Sequence, residues 1–271
     1  MDSITQQLEA HNAREKARAP GWYGEWMRVN CVIDPRDDIY RFFAAHPLAC
    51  NPVREYLADG WRTLSELNLA LDAAGRSLMA SRSVLEFASG FGRFTRHLAA
   101  AMPGRVTVSD VQPGSVEFAI EQFGVKGFHS STRPAEVPVP ARYDLVFVLS
   151  MFTHLPLEAW TPWIRTLACL TAPGGVLLVS VHSEGQAKAD GVELGPDGTR
   201  FIPSSESRHL GADVYGTTFT TRRYAEETFA RALPGWRLHY RETAFWAGQD
   251  AVLLEAPRPW YAALLPRRLS L

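Results

Sequence analysis

The run Glu86-Phe87-Ala88-Ser89-Gly90-Phe91-Gly92-Arg93-Phe94 joins an apolar stretch to a helical one. Gly90 and Gly92 let the backbone turn tightly and approach a ligand with no Cβ in the way. The helix that follows aims its free N–H groups at negative charge. Ser109-Asp110 ends the next apolar stretch, where a carboxylate commonly accepts the hydroxyl protons of a ribose. Two of the eight histidines, His154 and His182, follow later apolar stretches. A histidine titrates near working pH and suits removal of a proton from a hydroxyl. Plainer uses exist for each: an ordinary turn for the glycines, a helix cap for Asp110, and capping or structural hydrogen bonding for the histidines.

Such residues need a scaffold. Short apolar runs at Val84–Phe87, Val106–Ser109, Gly127–His129, Leu145–Leu149 and Val176–Val181 are separated mostly by helical patterns. Those patterns are Arg93–Ala101, Ser115–Phe123 and Leu157–Leu170, punctuated by Pro103-Gly104, Pro113-Gly114 and Pro173-Gly174-Gly175. The alternation implies an α/β fold with a parallel sheet covered on both faces. Trp236–Ala244 and Asp250–Ala256 are β-rich and joined by a link too short for a crossover, so they pair antiparallel. Before Ser81 the chain reads as helices. Asp37–Ala45 carries Ile39, Phe42 and Phe43 at helical spacing, and a longer helix runs from about Gly60 to Gly75. The expected division is an N-terminal helical segment 1–80, an α/β domain 81–256 and a tail 257–271. In an open sheet of this kind, ligands bind beyond the carboxyl ends of the strands, where the glycine run, Asp110 and both histidines fall.

A dinucleotide fingerprint would require a third glycine near Thr95, which is absent. Glu86 is also out of place beside a pyrophosphate. It suits a ligand with an ammonium group, such as the methionine end of S-adenosylmethionine. Glu86-x-Ala88-x-Gly90-x-Gly92 resembles the glycine-rich loop of the seven-stranded, Rossmann-like (class I) S-adenosylmethionine-dependent methyltransferases. Tyr143-Asp144-Leu145-Val146-Phe147 with Ser150-Met151-Phe152-Thr153-His154-Leu155-Pro156 is similar to that family's fourth-strand segment. Leu170 to Leu177 looks like its turn into the fifth strand, and the closing hairpin matches its ending. The resemblance runs roughly from Val84 to Ala256 and departs at Ala88, where the family usually has glycine.

The resemblance implies a three-layer sandwich with a mostly parallel seven-stranded sheet and an antiparallel C-terminal strand. It implies S-adenosyl-L-methionine as cofactor and S-adenosyl-L-homocysteine as product, with no metal expected. Carried over by position, Ala88, Ser89, Gly90 and Gly92 line the methionine and ribose, beside Glu86. Asp110 binds the ribose, and Val111, Gln112, Ser131 and Thr132 border the adenine. Ser150, Met151 and Phe152 lie beside the sulfonium. From the helical segment, Tyr56 and Arg62 reach toward the cofactor carboxylate. His154 and His182 are the candidate catalytic bases.

Acceptor contacts are expected in Ser183 to Thr221, a long polar insertion in which Arg208, His209, Tyr215 and Thr218 stand out, because long loops in compact domains are commonly lids, binding loops or disordered. The family impression is of small-molecule O-methylation in saccharide or secondary-metabolite biosynthesis. Alternatives are N-methylation of a small amine, cofactor binding without turnover, or a nicotinamide oxidoreductase. A net charge of -1 and a pI near 6.7 argue against nucleic acid as partner. Cys31, Cys50 and Cys169 are far apart and odd in number, which suggests buried, reduced thiols. Met1 to Ala19 is polar, and no run of about 18 apolar residues occurs, so a cytoplasmic location is expected. The tail holds Trp260, Tyr261, Leu264 and Leu265 among Arg258, Arg267 and Arg268, which suits weak contact with a membrane surface or packing on protein. Oligomeric state is left open.

Overall fold

The computed structural model describes residues 3–17, 23–45, 51–204, 210–212 and 214–258. Four helices come first: α1 (Ser3–Lys16), α2 (Tyr23–Met27), α3 (Asp38–Ala45) and α4 (Pro52–Asp72). Then follow β1 (Val84–Phe87), α5 (Thr95–Ala101), β2 (Val106–Asp110), α6 (Ser115–Phe123), β3 (Lys126–His129), β4 (Tyr143–Val148), α7 (Leu157–Leu170) and β5 (Thr171–Val181). The chain continues with α8 (Glu184–Ala189), β6 (Thr199–Ile202), β7 (Thr217–Thr220), α9 (Arg222–Ala232), β8 (Arg237–Phe245) and β9 (Gln249–Glu255).

Seven strands form one sheet in the order β3-β2-β1-β4-β5-β9-β8. β1 to β5 pair in parallel, while β9 runs antiparallel to both β5 and β8. β1 is buried along its whole length, which is why three of its four residues are apolar and only Glu86 is charged. One apolar layer, including Trp160, Ile164, Leu167 and Phe229, joins α7 and α9 to the sheet. The other joins α4, α5 and α6 to its opposite face through Leu67, Leu71, Leu98 and Val116. The Rossmann-like three-layer sandwich expected from the sequence is therefore present, with helices preceding it. No helix among the described residues is long and apolar enough to cross a membrane.

Three expectations need correction. The long helix starts at Pro52, a full two turns before Gly60; Asn51 caps it by accepting the N–H of Arg54 at 3.0 Å, and Pro52 supplies a preset φ at its first turn. The insertion after β5 is not a bare loop, since it holds α8 and a small antiparallel sheet of β6 and β7. Cys31 is buried as expected, but Cys169 is exposed. Cys50, Arg208, His209 and the tail residues from Pro259 onward lie outside the described residues.

Candidate active site

β1 borders β2 on one side and β4 on the other, so the winding reverses between β1 and β4. Beyond the carboxyl ends of that pair the chain makes two left-handed turns at non-glycine residues, Ala88 (φ 59) and Ser150 (φ 59). Such a conformation costs of order 1 kcal/mol for an L residue and persists where surrounding bonds fix it. Here the Ala88 N–H donates to the Ser109 carbonyl at 2.8 Å, and the Ser150 N–H donates to Ser180 Oγ at 2.7 Å. The departure at Ala88 therefore falls where glycine would be free of strain.

Gly90 (φ 54) and Gly92 (φ 79) continue the turn. A methyl group on Gly90 would meet nothing within 4 Å, whereas one on Gly92 would run into the Phe123 ring. The first glycine thus faces open space and the second packs against α6. Asp110 ties this turn to the next one: its Oδ2 accepts the Gly90 N–H at 2.7 Å and its Oδ1 accepts the Gln112 N–H at 2.7 Å. Burial pushes the Asp110 carboxyl above the ordinary range, and the backbone N–H groups of Gln112 and Gly90 pull it back. Glu86 is 6% exposed and accepts Thr95 Oγ1 at 2.7 Å. Burial, with the nearby charge of Asp110, pushes Glu86 up to about 8. Ser89 Oγ is buried without a hydrogen-bond partner among the described residues. A carboxylate, a second buried acid, an orphaned hydroxyl and open space at Gly90 together fit a ligand that carries a ribose diol and an ammonium group.

The end of β4 is organised differently from expectation. Phe152 is fully buried, with its ring 5.4 Å from those of Trp160 and Phe229, and Met151 packs in the same layer. Their side chains belong to the core. Ser150 is the residue that reaches across the strands, its Oγ accepting from Gln249 Nε2 at 2.9 Å. Ser131 accepts the Arg133 N–H at 3.1 Å and donates to Glu136 at 3.0 Å, in the turn just beyond the pairing of Asp110 with His129; Thr132 beside it is exposed.

β7 lies as a strap over the ends of β4 and β5. Gly216 N–H donates to the His154 carbonyl (2.8 Å), Thr218 N–H to the Thr153 carbonyl (2.7 Å) and Thr220 N–H to the His182 carbonyl (3.0 Å). His154 does not cap α7, whose N-cap is Pro156 with no side-chain bond. Its Nδ1 lies 2.7 Å from the Gly216 carbonyl and its ring stacks on Tyr215 at 4.5 Å. His182 stacks on Phe219 at 5.1 Å, 6.3 Å from the His154 ring. Burial, reinforced by His154, lowers His182 to about 4, so it is neutral at physiological pH. Thr218 is 1% exposed and its hydroxyl donates to the Leu155 carbonyl, so its side chain serves to hold the strap. Tyr215 is half-buried beside His154.

The N-terminal residues meet the site, though not through the contacts expected. Tyr56 is fully buried and its hydroxyl donates to Asp37 Oδ2 at 2.6 Å, while Arg62 pairs with Asp59 and Glu66. Instead, the segment from Asn30 to Asp37 lies along the glycine turn. Arg96, 2% exposed, donates to the carbonyls of Gly92 (3.0 Å), Asn30 (3.0 Å) and Val32 (2.9 Å). Arg36 is held by Asp34 and lies 5.0 Å over the Phe91 ring, against Gly114 in the turn after β2. Sequence reading missed Arg96, Asp37 and Arg36 because each acts on residues far away in the chain. Among the described residues no group of three or more His, Cys, Asp or Glu side chains is placed to hold a metal ion.

Comparison with known proteins agrees with this geometry. Residues 84–175 match a family model described as a methyltransferase domain. DesVI of Streptomyces venezuelae aligns with a TM-score of 0.53 at 16% identity, over 81% of this chain and 97% of that one. Magnesium protoporphyrin IX methyltransferase from Synechocystis PCC 6803, with S-adenosylhomocysteine bound, gives 0.51 at 18%, over 81% and 93%. The N-methyltransferase NodS from Bradyrhizobium japonicum WM9, also with S-adenosylhomocysteine, gives 0.50 at 16%, over 82% and 100%. At these identities the likeness is one of fold. No curated protein matches the sequence. The chain shares the Rossmann-like fold of these methyltransferases, and residues 84–175 are the part that matches a methyltransferase domain.

Proposed function

We propose that the protein methylates a hydroxyl of a small molecule, a saccharide or secondary metabolite, with His154 as the group that takes the proton. In this reading Glu86 faces the cofactor ammonium, and Ala88, Ser89, Gly90 and Gly92 line the methionine and ribose. Asp110 receives the ribose hydroxyls, and Val111, Gln112, Ser131 and Thr132 border the adenine. Ser150 stands beside the sulfonium. Bound there, S-adenosylmethionine supplies an electrophilic methyl group for in-line displacement. The protein's task is to hold the acceptor in line and remove its proton.

The observation that carries the proposal is the setting of His154. The Gly216 carbonyl, 2.7 Å from Nδ1, requires a proton on that nitrogen and leaves Nε2 as the basic one. With its pKa lowered to about 4, His182 is a poor base near neutral pH. The strap over β4 and β5 favours a small acceptor over a polymer. Changing His154 to glutamine is expected to lower kcat by roughly 10²-fold or more, with S-adenosylhomocysteine affinity unchanged. The same change at His182 should cost less than tenfold. The likeness to an N-methyltransferase supports a second reading, an amine acceptor. An amine needs only to be neutral, so His154→Gln would then keep its rate above the amine's own pKa. Methyl transfer to amines alone, undiminished in the variant, would sink the oxygen reading.

Glu86 gives a pH signature. Its pKa is raised from 4.5 to about 8 in the fold, so its contribution to stability is complete below about 4.5 and is lost as pH rises through 8. An ammonium group bound beside it favours the ionised form. Binding of S-adenosylhomocysteine near pH 7 should therefore release a proton, measurable by calorimetry in buffers of different ionisation enthalpy. Glu86→Gln should abolish that release and flatten the fall in thermal stability between pH 5 and 9. Equal proton release by both proteins would remove Glu86 from this role.

A further inference from the structure

The glycine turn is flexible by composition, with Gly90 and Gly92 both left-handed, so its shape has to be imposed from outside. On one side Asp110 and Arg96 bond its backbone, as described above. On the other side it meets α4 at Arg93, the residue directly after Gly92. The Arg93 guanidinium forms an ion pair with Asp59 of α4, and the two side chains are only 13% and 3% exposed. Asp59 is also paired with Arg62, which in turn reaches Glu66 at 3.3 Å. Next to Asp59, Gly60 brings the α4 backbone directly against the Arg93 carbonyl. Burial lowers the Arg93 pKa, and the nearby Tyr56 and Asp37 groups oppose that shift.

We propose that Asp59 and Arg93 form a positioning pair through which α4 sets the shape of the cofactor turn, making the N-terminal helices part of the cofactor site. This rests on the reading that the Ala88–Gly92 turn holds the cofactor. Neither residue need touch the ligand. Arg93 is where the turn is anchored to α4 two residues before α5 begins, and Asp59 fixes where that point lies. The pair is polar, yet it is buried where an apolar contact of equal volume would hold α4 on the core at no desolvation cost. What an apolar contact would not supply is the attraction between a buried carboxylate and a buried guanidinium, which ties Arg93 to one place on α4.

The test is calorimetric titration of the full-length protein with S-adenosylhomocysteine, together with thermal unfolding. Asp59→Asn should weaken binding by tenfold or more, through KM for S-adenosylmethionine more than through kcat. The double variant Asp59→Leu/Arg93→Met removes both charges at similar volume. It should recover much of the thermal stability lost in Asp59→Asn, but not the affinity. Recovery of both would show that the pair only supports the fold and would overturn the proposal. Arg93→Lys, which keeps the charge and loses the guanidinium, covers the case in which those variants do not fold. It should melt cooperatively and bind at least fivefold more weakly, and unchanged affinity would overturn the proposal equally. Asp110→Ala serves as the separate control. If it binds like the wild type, the cofactor reading itself fails. If only it loses binding, the cofactor reading stands and the pair does not.

Discussion

Asp110→Ala is expected to remove the protection that S-adenosylhomocysteine gives against thermal unfolding. In the wild type, ligand at about a hundred times its Kd should stabilise the fold by roughly 2.7 kcal/mol. A ribose diol donating to Asp110 would make two hydrogen bonds to a charged acceptor, each worth about 1.5–3 kcal/mol. Their loss weakens binding by roughly 10²-fold or more. The variant loses a second thing. Asp110 accepts the N–H groups of Gly90 and Gln112, so alanine releases two turns from each other as well as from the ligand. Asp110→Asn separates the two effects, since its single amide oxygen can hold one N–H while the charge is gone. Affinity in Asp110→Asn close to that of alanine would show that the charge matters most; affinity close to wild type would show that the tether between turns does. Retained protection in both variants would contradict the placement of the ribose at β2.

The parts of this fold that were legible in the sequence are those set by local patterns. β1 is legible with its observed ends, Val84 and Phe87, because a central parallel strand is buried on both faces and reads as a mainly apolar run, interrupted here only by Glu86. The closing hairpin was legible because its link is too short for a crossover. β6 and β7 were not: Thr199–Ile202 and Thr217–Thr220 are four residues each, without a clean apolar-polar alternation and far apart, and β7 is held by carbonyls of Thr153, His154 and His182 that no sequence pattern announces. Site residues followed the same division. Gly90, Gly92 and Asp110 were legible as candidates because strand ends locate them, and the structure joins two of them through the Gly90 N–H bond to Asp110. Phe152 was placed beside the ligand by adjacency alone, and its side chain turns the other way, into the layer of Trp160 and Phe229. Arg93, Arg96, Asp37 and Asp59 were passed over because their meaning lies in partners tens of residues away, and a buried ion pair looks in a sequence like two surface charges.

Gly60 separates what the sequence implies from what packing imposes. It sits inside α4, where helix propensity alone predicts that alanine is better by about 1 kcal/mol. The structure predicts the opposite sign. A methyl group there would enter the space of the Arg93 carbonyl oxygen and lie 2.9 Å from His97 Cδ2. A backbone oxygen cannot rotate aside like a flexible side chain, so α4 or the cofactor turn must move. Overpacking of a tight contact costs about 1–3 kcal/mol, and sites against backbone belong at the upper end. Net of the propensity gain, Gly60→Ala should lose about 1–2 kcal/mol. For a chain of this size that is a fall in Tm of roughly 2–6 °C. The displaced carbonyl belongs to the residue after Gly92, so S-adenosylhomocysteine affinity should fall as well, by more than the same loss of stability would cause in a variant remote from the turn. Thermal unfolding with and without ligand measures both. A higher Tm in the alanine variant would mean that α4 does not press on the turn as the structure shows, and it would take the physical basis from the Asp59–Arg93 pair beside it.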